Sequence, residues 1–198
     1  MKKTLIIALS LLISTYTFCQ TPSSFDREEV VEVKNTKAKL YANAQTWIAK
    51  TFGDYKAVIQ FEDKEQGRLI IKGLSDLDLR SYPNFNYTIT IDVKESKYRY
   101  SINDIKMGFG ISDSRIADSY FPLERDIKGV KTIKVGLDSI LALSTNSMSK
   151  KVLKKHEEEV NSYKRAYQSY SFRISKVNDI LDDISNSLKT AMKSNDDF

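Results

Sequence analysis

His156 is the only histidine in the chain and Cys19 the only cysteine. One copy therefore cannot build a two-histidine metal site, and no catalytic triad or His-Cys pair is recognisable, because each needs matched partners. Ser147-Met148-Ser149-Lys150 does spell the Ser-x-x-Lys arrangement in which a lysine one helical turn away activates a serine. Its companion motifs are missing, so it reads as the polar start of a helix. Gly108-Phe109-Gly110 lacks the third glycine and following helix of a dinucleotide loop and reads as a turn. Asp76 with Asp78, and Glu124 with Asp126, lack the dense carboxylate spacing of a calcium loop and read as solvated loop acids. No metal and no cofactor is expected.

Three groups of residues remain that could act on another molecule. Asp92, Lys94 and Arg99 fall on the polar side of a strand pair, where fixed charges on a rigid sheet can position a ligand. Phe109, Tyr120 and Phe121 make the segment 108–125 rich in rings that could stack on a small molecule or glycan. Asp113, Asp118 and Glu124 are the carboxylates a hydrolase would use as acid and base. The missing catalytic inventory favours a non-catalytic binding or assembly module over the glycan or small-molecule reading, and both over the hydrolase.

The elements that must position these residues are legible from periodicity. Val30, Val31 and Val33 mark a strand over 27–34. Leu40, Tyr41, Ala44, Trp47, Ile48 and Phe52 follow helical spacing, and Gly53 stands where a C-cap glycine belongs, which predicts a helix over 37–52. Strands are predicted over 56–61, 68–74, 85–94 and 98–107. The last two show the clearest alternation. Phe85, Tyr87, Ile89, Ile91 and Val93, then Tyr98, Tyr100 and Ile102, form one apolar side, opposite Thr88, Thr90, Asp92, Lys94, Arg99 and Ser101. Period two with one polar side implies an antiparallel sheet wet on one face and covered by helices on the other. Residues 108–137 read as a long ordered loop with one short strand at Lys131 to Val135, although thirty structureless residues would be unusual in a compact domain.

The chain begins with Lys2 and Lys3, an apolar run from Leu5 to Ile13 and a polar stretch to Gln20, the form of an export signal too short to serve as a permanent anchor. Phe18 before Cys19 argues against lipidation, which needs a small residue there. Cleavage after Cys19 or Gln20 would remove the only thiol and so any disulfide. The net charge of +5 falls to +3 when the two leader lysines leave. With lysines interleaved among acids, a nucleic-acid partner is not expected. The expected organisation is a signal peptide over 1–20, an α+β domain over 21–137, a helical segment over 138–192 and a disordered tail over 193–198.

Leu153, His156, Val160, Tyr163, Tyr167, Tyr170, Ile174, Val177, Leu181, Ile184 and Leu188 recur at alternating steps of three and four, a heptad stripe. A helix of about 40 residues is roughly 60 Å long, whereas ten-residue strands make a sheet of about 33 Å. One sheet cannot cover that stripe. The remainder needs a second chain, the earlier segment 138–148, or itself after a break near Ser169 to Ser171. A homodimer seam through Val160, Tyr163, Tyr167, Tyr170, Ile174, Val177 and Leu181 is one expectation, and a protein partner is expected.

At Leu40-Tyr41, Trp47-Ile48, the run Val58 to Gly67, Ile91-Asp92-Val93-Lys94 and Lys97-Tyr98-Arg99-Tyr100, the chain resembles a family of exported bacterial domains of unknown function with a TATA-binding-protein-like fold. The resemblance covers about residues 27–107. It implies export and the order strand, helix, four strands, helix, and it implies no activity; the heptad stripe adds a long C-terminal helix or helical hairpin to that α+β arrangement. It does not carry DNA binding, because a saddle that kinks DNA uses an apolar sheet face with phenylalanine wedges.

Overall fold

The computed structural model describes residues 25–110, 117 and 119–194. The expected signal peptide, Asp113, Asp118 and residues 195–198 lie outside the described residues. The expected first strand is β1, Arg27–Glu32, and the expected helix is α1, Lys37–Phe52. Thr36 caps α1 through its side chain, and Gly53 closes it at φ 72°, a left-handed angle that glycine adopts at no steric cost. The segment expected to begin a strand at Lys56 first makes a helical turn, α2, Tyr55–Val58, because the Asp54 carboxylate accepts from the Ala57 N–H. Only then does β2, Ile59–Asp63, begin. β3 (Arg68–Leu79), β4 (Tyr82–Lys94) and β5 (Lys97–Phe109) are each longer than their alternation suggested.

Residues 108–137 depart most from expectation. They include a sixth strand, β6, Ser119–Pro122, and most of a helix, α3, Leu123–Leu141. Lys131 to Val135 is helical, and its alternation does not mark a shared face: Ile133 is partly buried whereas Val135, two residues on, is 65 % exposed. α3 follows Pro122 directly and carries Glu124 and Asp126 in its first turn, where carboxylates oppose the helix dipole. The helical segment thus starts at residue 123, well before 138. α4 then runs unbroken from Lys150 to Met192, 43 residues, with no interruption at Ser169 to Ser171.

The sheet is antiparallel throughout in the order β1-β5-β4-β3-β2, and β6 pairs with the far end of β5. Its inner face, with Leu69, Ile71, Tyr87, Ile89, Ile91 and Ile102, packs on α1 and on the C-terminal half of α4, where Val177, Leu181 and Leu188 are buried. Trp47 Nε1 donates to Ser187 Oγ at 3.0 Å, Arg27 Nε donates to Asp182 Oδ1 at 3.0 Å, and Lys189 pairs with Glu29, so polar contacts seat α4 on α1 and β1.

The N-terminal half of α4, beyond the reach of the sheet, packs against α3 in an antiparallel hairpin. Tyr170 lies over Gly129 and Tyr163 over Gly136, so close that a Cβ would stand 3.0 Å and 2.6 Å from the rings. Two glycines seven residues apart accept two tyrosines seven residues apart, a large-into-small fit repeated every two turns. The expected oligomer seam is therefore occupied from within the chain. Val160, Val177 and Leu181 are buried and Tyr163, Tyr167, Tyr170 and Ile174 partly buried, so a second copy on this stripe would have to displace α3.

Candidate functional site

Strand pairing places one polar residue from each of four strands in a single row on the outer face. Asp63 of β2 stands opposite Arg68 of β3, Arg68 opposite Asp92 of β4, and Asp92 opposite Arg99 of β5, with Val30 of β1 ending the row. Arg68 Nε donates to Asp92 Oδ1 at 2.6 Å and Nη2 to Oδ2 at 3.2 Å, while Arg99 Nη2 donates to Oδ2 at 2.7 Å. Arg99 Nη1 also lies 3.8 Å from Glu28 Oε1. Burial pushes the Asp92 carboxyl up, but the hydrogen bonds from Arg68 and Arg99 outweigh it and hold the group below its ordinary value. The same contact raises the already high pKa of Arg68. Asp92 is thus a fixed anion that clamps two guanidinium planes.

Two turns set the row. Gly67 takes φ +76° and its carbonyl accepts from the Val93 N–H at 2.7 Å; a Cβ there would stand 2.5 Å from the Val93 oxygen, so only glycine lets β3 start beside β4. At the other hairpin, Ser96 takes φ 59°, and Glu95 Oε2 accepts from the Lys37 N–H at 3.0 Å, tying the turn to the start of α1. Lys94 and Lys97 then face each other directly across β4 and β5. Like charges placed opposite one another destabilise a strand pair.

These residues line an open recess of about 390 Å³, walled by Arg68, Lys94, Lys97 and Arg99 with Asp92, Gln66 and Val30. It holds four cations and one carboxylate, and that carboxylate is already shared by two of the cations. No histidine, cysteine or serine is among its lining residues. It can hold an anionic group. Asp92, Lys94 and Arg99 meet here as the alternation suggested. Arg68 and Lys97 escaped notice because register, not local pattern, brings them in.

Phe109, Tyr120 and Phe121 gather at the opposite end of the sheet. Tyr82 packs edge-on against Phe109 at 5.6 Å and Phe121 at 6.3 Å, Arg125 covers the Phe121 ring at 3.9 Å, and the Tyr120 hydroxyl donates to Asn84 Oδ1 at 2.9 Å. Only Tyr120 is exposed, at 42 %. The rings serve the junction of β6, β4 and α3. Beneath them Arg173 of α4 stacks on Tyr82 at 4.0 Å and Tyr170 at 4.2 Å, and its Nε donates to Asp126 Oδ2 at 3.3 Å. Asp126, expected as a solvated loop acid, is 2 % exposed and its partner 6 %. Glu124 is half-buried in the first turn of α3, and His156 is half-buried on α4. Among the described residues, no group of three or more metal-ligating side chains comes together.

Residues 28–107 match the model of a family described as a domain of unknown function, DUF4468, with TBP-like fold. Among solved structures, the chain is similar to a DUF4468 family protein from Bacteroides ovatus ATCC 8483, with a TM-score of 0.52 and 15 % identity over 87 % of this chain and 88 % of that one. It is also similar to a TBP-like protein from Parabacteroides distasonis ATCC 8503, with a TM-score of 0.44 and 15 % identity over 83 % and 92 %. At such identity the likeness to the first concerns the fold. No curated protein sequence matches the chain.

Proposed function

Through residues 28–107 this chain belongs to the DUF4468 family, whose fold is TBP-like and whose function is unknown, and from that premise we propose that it is an exported, non-catalytic binding module whose outer sheet face takes a ligand bearing anionic groups. The recess carries the reading. Arg68, Lys94, Lys97 and Arg99 converge on it, its one lining acid is already engaged by two arginines, and Lys94 and Lys97 oppose each other across β4 and β5. A carboxylate, phosphate or sulfate seated there would relieve that repulsion and meet guanidinium donors whose geometry suits bidentate recognition. The residues are on rigid strands, so little ordering is needed on binding.

The reading favours this face over the Phe109, Tyr120 and Phe121 cluster, where Tyr82 and Arg125 occupy the two phenylalanine rings. Duplex nucleic acid suits it poorly, because the outer face alternates in charge rather than offering apolar wedges.

A thermal-shift series with inorganic phosphate, citrate, an oligogalacturonate and an acidic peptide tests it. A ligand at about 100 times its Kd stabilises by about 2.7 kcal/mol, roughly 5–10 °C for a protein of this size. At least one probe should give a saturable rise that Lys97→Ala/Arg99→Ala abolishes. A flat response to all four, or a rise unchanged in the double variant, would sink the proposal.

A further inference from the structure

The hairpin of α3 and α4 ends in a tip with an unusual composition. From Ser139 to His156 the chain has four lysines, Lys150, Lys151, Lys154 and Lys155, and no acid. Acids border it on both sides: Asp138 bonds Lys134 at 2.8 Å, and of Glu157, Glu158 and Glu159 the second lies 4.0 Å from Lys154. Apolar side chains are exposed in the same place. Of the nine large apolar residues exposed among the described residues, Val135, Leu141, Leu143 and Val152 lie in this short part of the hairpin, and the last three are 53, 54 and 51 % exposed.

Lysines in the first turn of a helix work against its dipole, and here they stand beside apolar side chains left in water, the pairing of charge and apolar surface that suits an interface. The pairings of Gly129 with Tyr170 and Gly136 with Tyr163 advance one residue for one in opposite directions. Continued, that register sets Leu141 opposite Glu158, so the first two turns of α4 run past the end of α3 under the connection 142–149 alone. The tip stands roughly 35 Å from the Arg173 anchor, 23 residues along α4 at about 1.5 Å each. It is therefore the part of the molecule farthest along the helix from the sheet domain and its recess.

We propose that this tip is a peripheral docking surface for an anionic lipid membrane. Leu141, Leu143 and Val152 enter the boundary between headgroups and acyl chains, and Lys150, Lys151, Lys154 and Lys155 meet the lipid phosphates, their stems lying along the apolar surface. The contact is reversible and superficial; among the described residues no helix is long and apolar enough to cross a membrane. An acidic protein would meet the lysines equally well but gives no role to the three exposed apolar side chains, and for that reason lipid is favoured.

Flotation of the purified protein with vesicles of phosphatidylcholine alone, and with vesicles in which about a third of the lipid is phosphatidylglycerol, tests it. Two variants separate the contributions: Leu141→Ser/Leu143→Ser/Val152→Ser, and glutamine at Lys150, Lys151, Lys154 and Lys155. All seven side chains are exposed, so both variants should unfold at the wild-type midpoint. Wild type should float with the anionic vesicles only, and each variant should partition about tenfold less or worse. No flotation with anionic vesicles overturns the proposal, as does flotation that neither variant weakens. Loss in the glutamine variant with full retention in the serine variant also overturns it, since the lysines would then be reading charge alone, as for an acidic protein.

Discussion

Replacing Asp126 by leucine should destabilise the protein more than any other single change on α3. The substitution leaves the Arg173 guanidinium, 6 % exposed, without a counter-charge, and an uncompensated buried charge costs about 3–5 kcal/mol. Arg173→Met leaves the 2 % exposed carboxylate of Asp126 alone at a similar cost, and also removes the stacking on Tyr82 and Tyr170, worth about 0.5–2 kcal/mol each. The double variant Asp126→Leu/Arg173→Met removes both charges together with their desolvation, and should lie within about 2 kcal/mol of wild type. Urea unfolding followed by circular dichroism measures all three, with a non-additivity of at least ~3 kcal/mol expected in the cycle. Because the pair joins α3 to α4 under Tyr82, the single variants should raise amide exchange in α3 before the central strands. If each single costs under ~1 kcal/mol, or if the costs add, the pair is not the anchor that holds the hairpin to the sheet.

Three further outcomes follow from named contacts. Gly136→Ala would place a Cβ 2.6 Å from the Tyr163 ring, so despite a helix-propensity gain of about 1 kcal/mol it should destabilise, overpacking costing about 1–3 kcal/mol. In a Tyr163→Ala background the same change should stabilise, and stabilisation in the wild-type background would refute the notch. Tyr98 is buried with a hydroxyl that finds no hydrogen-bond partner among the described residues, and burial pushes that hydroxyl's pKa up; Tyr98→Phe should raise the unfolding free energy by about 1 kcal/mol, and a comparable loss would mean the hydroxyl is in fact bonded. Asp92, held below its ordinary value in the folded protein, contributes stability that is present above the unfolded carboxylate pKa and is lost as pH falls through the folded one. The stability difference between wild type and Asp92→Asn should therefore be largest near neutrality and shrink as pH falls below the unfolded carboxylate pKa, and a difference independent of pH would show that its charge is not what matters.

Much of the sheet domain was readable locally. α1 could be placed to the residue because Leu40, Ala44, Trp47 and Ile48 repeat at helical spacing between a threonine cap and a capping glycine. Alternation along β4 and β5 divided Ile89 and Ile91 from Thr90 and Asp92, and so put Asp92, Lys94 and Arg99 on the wet face together. α3 was hidden. Gly129 and Gly136 suggested a loop, because a glycine's low helix propensity is visible in the sequence whereas the tyrosine that fills its notch lies about 27 to 41 residues away. The short strand β6 carries too few residues for any period to show.

Pattern along the chain was enough to show which side of each element is apolar, where α1 begins and ends, and that the heptad stripe of α4 is longer than one sheet can cover. That α3 covers the excess, that Arg68 and Lys97 join Arg99 at the recess, and that Asp126 is buried against Arg173 and not a surface acid emerged from the packing of distant segments. The physical reason is that periodicity is a property of neighbours along the chain and fixes a face, while register and burial depend on which distant segments meet. Two residues facing the same way say nothing of what stands opposite until the strands are paired and the helices packed.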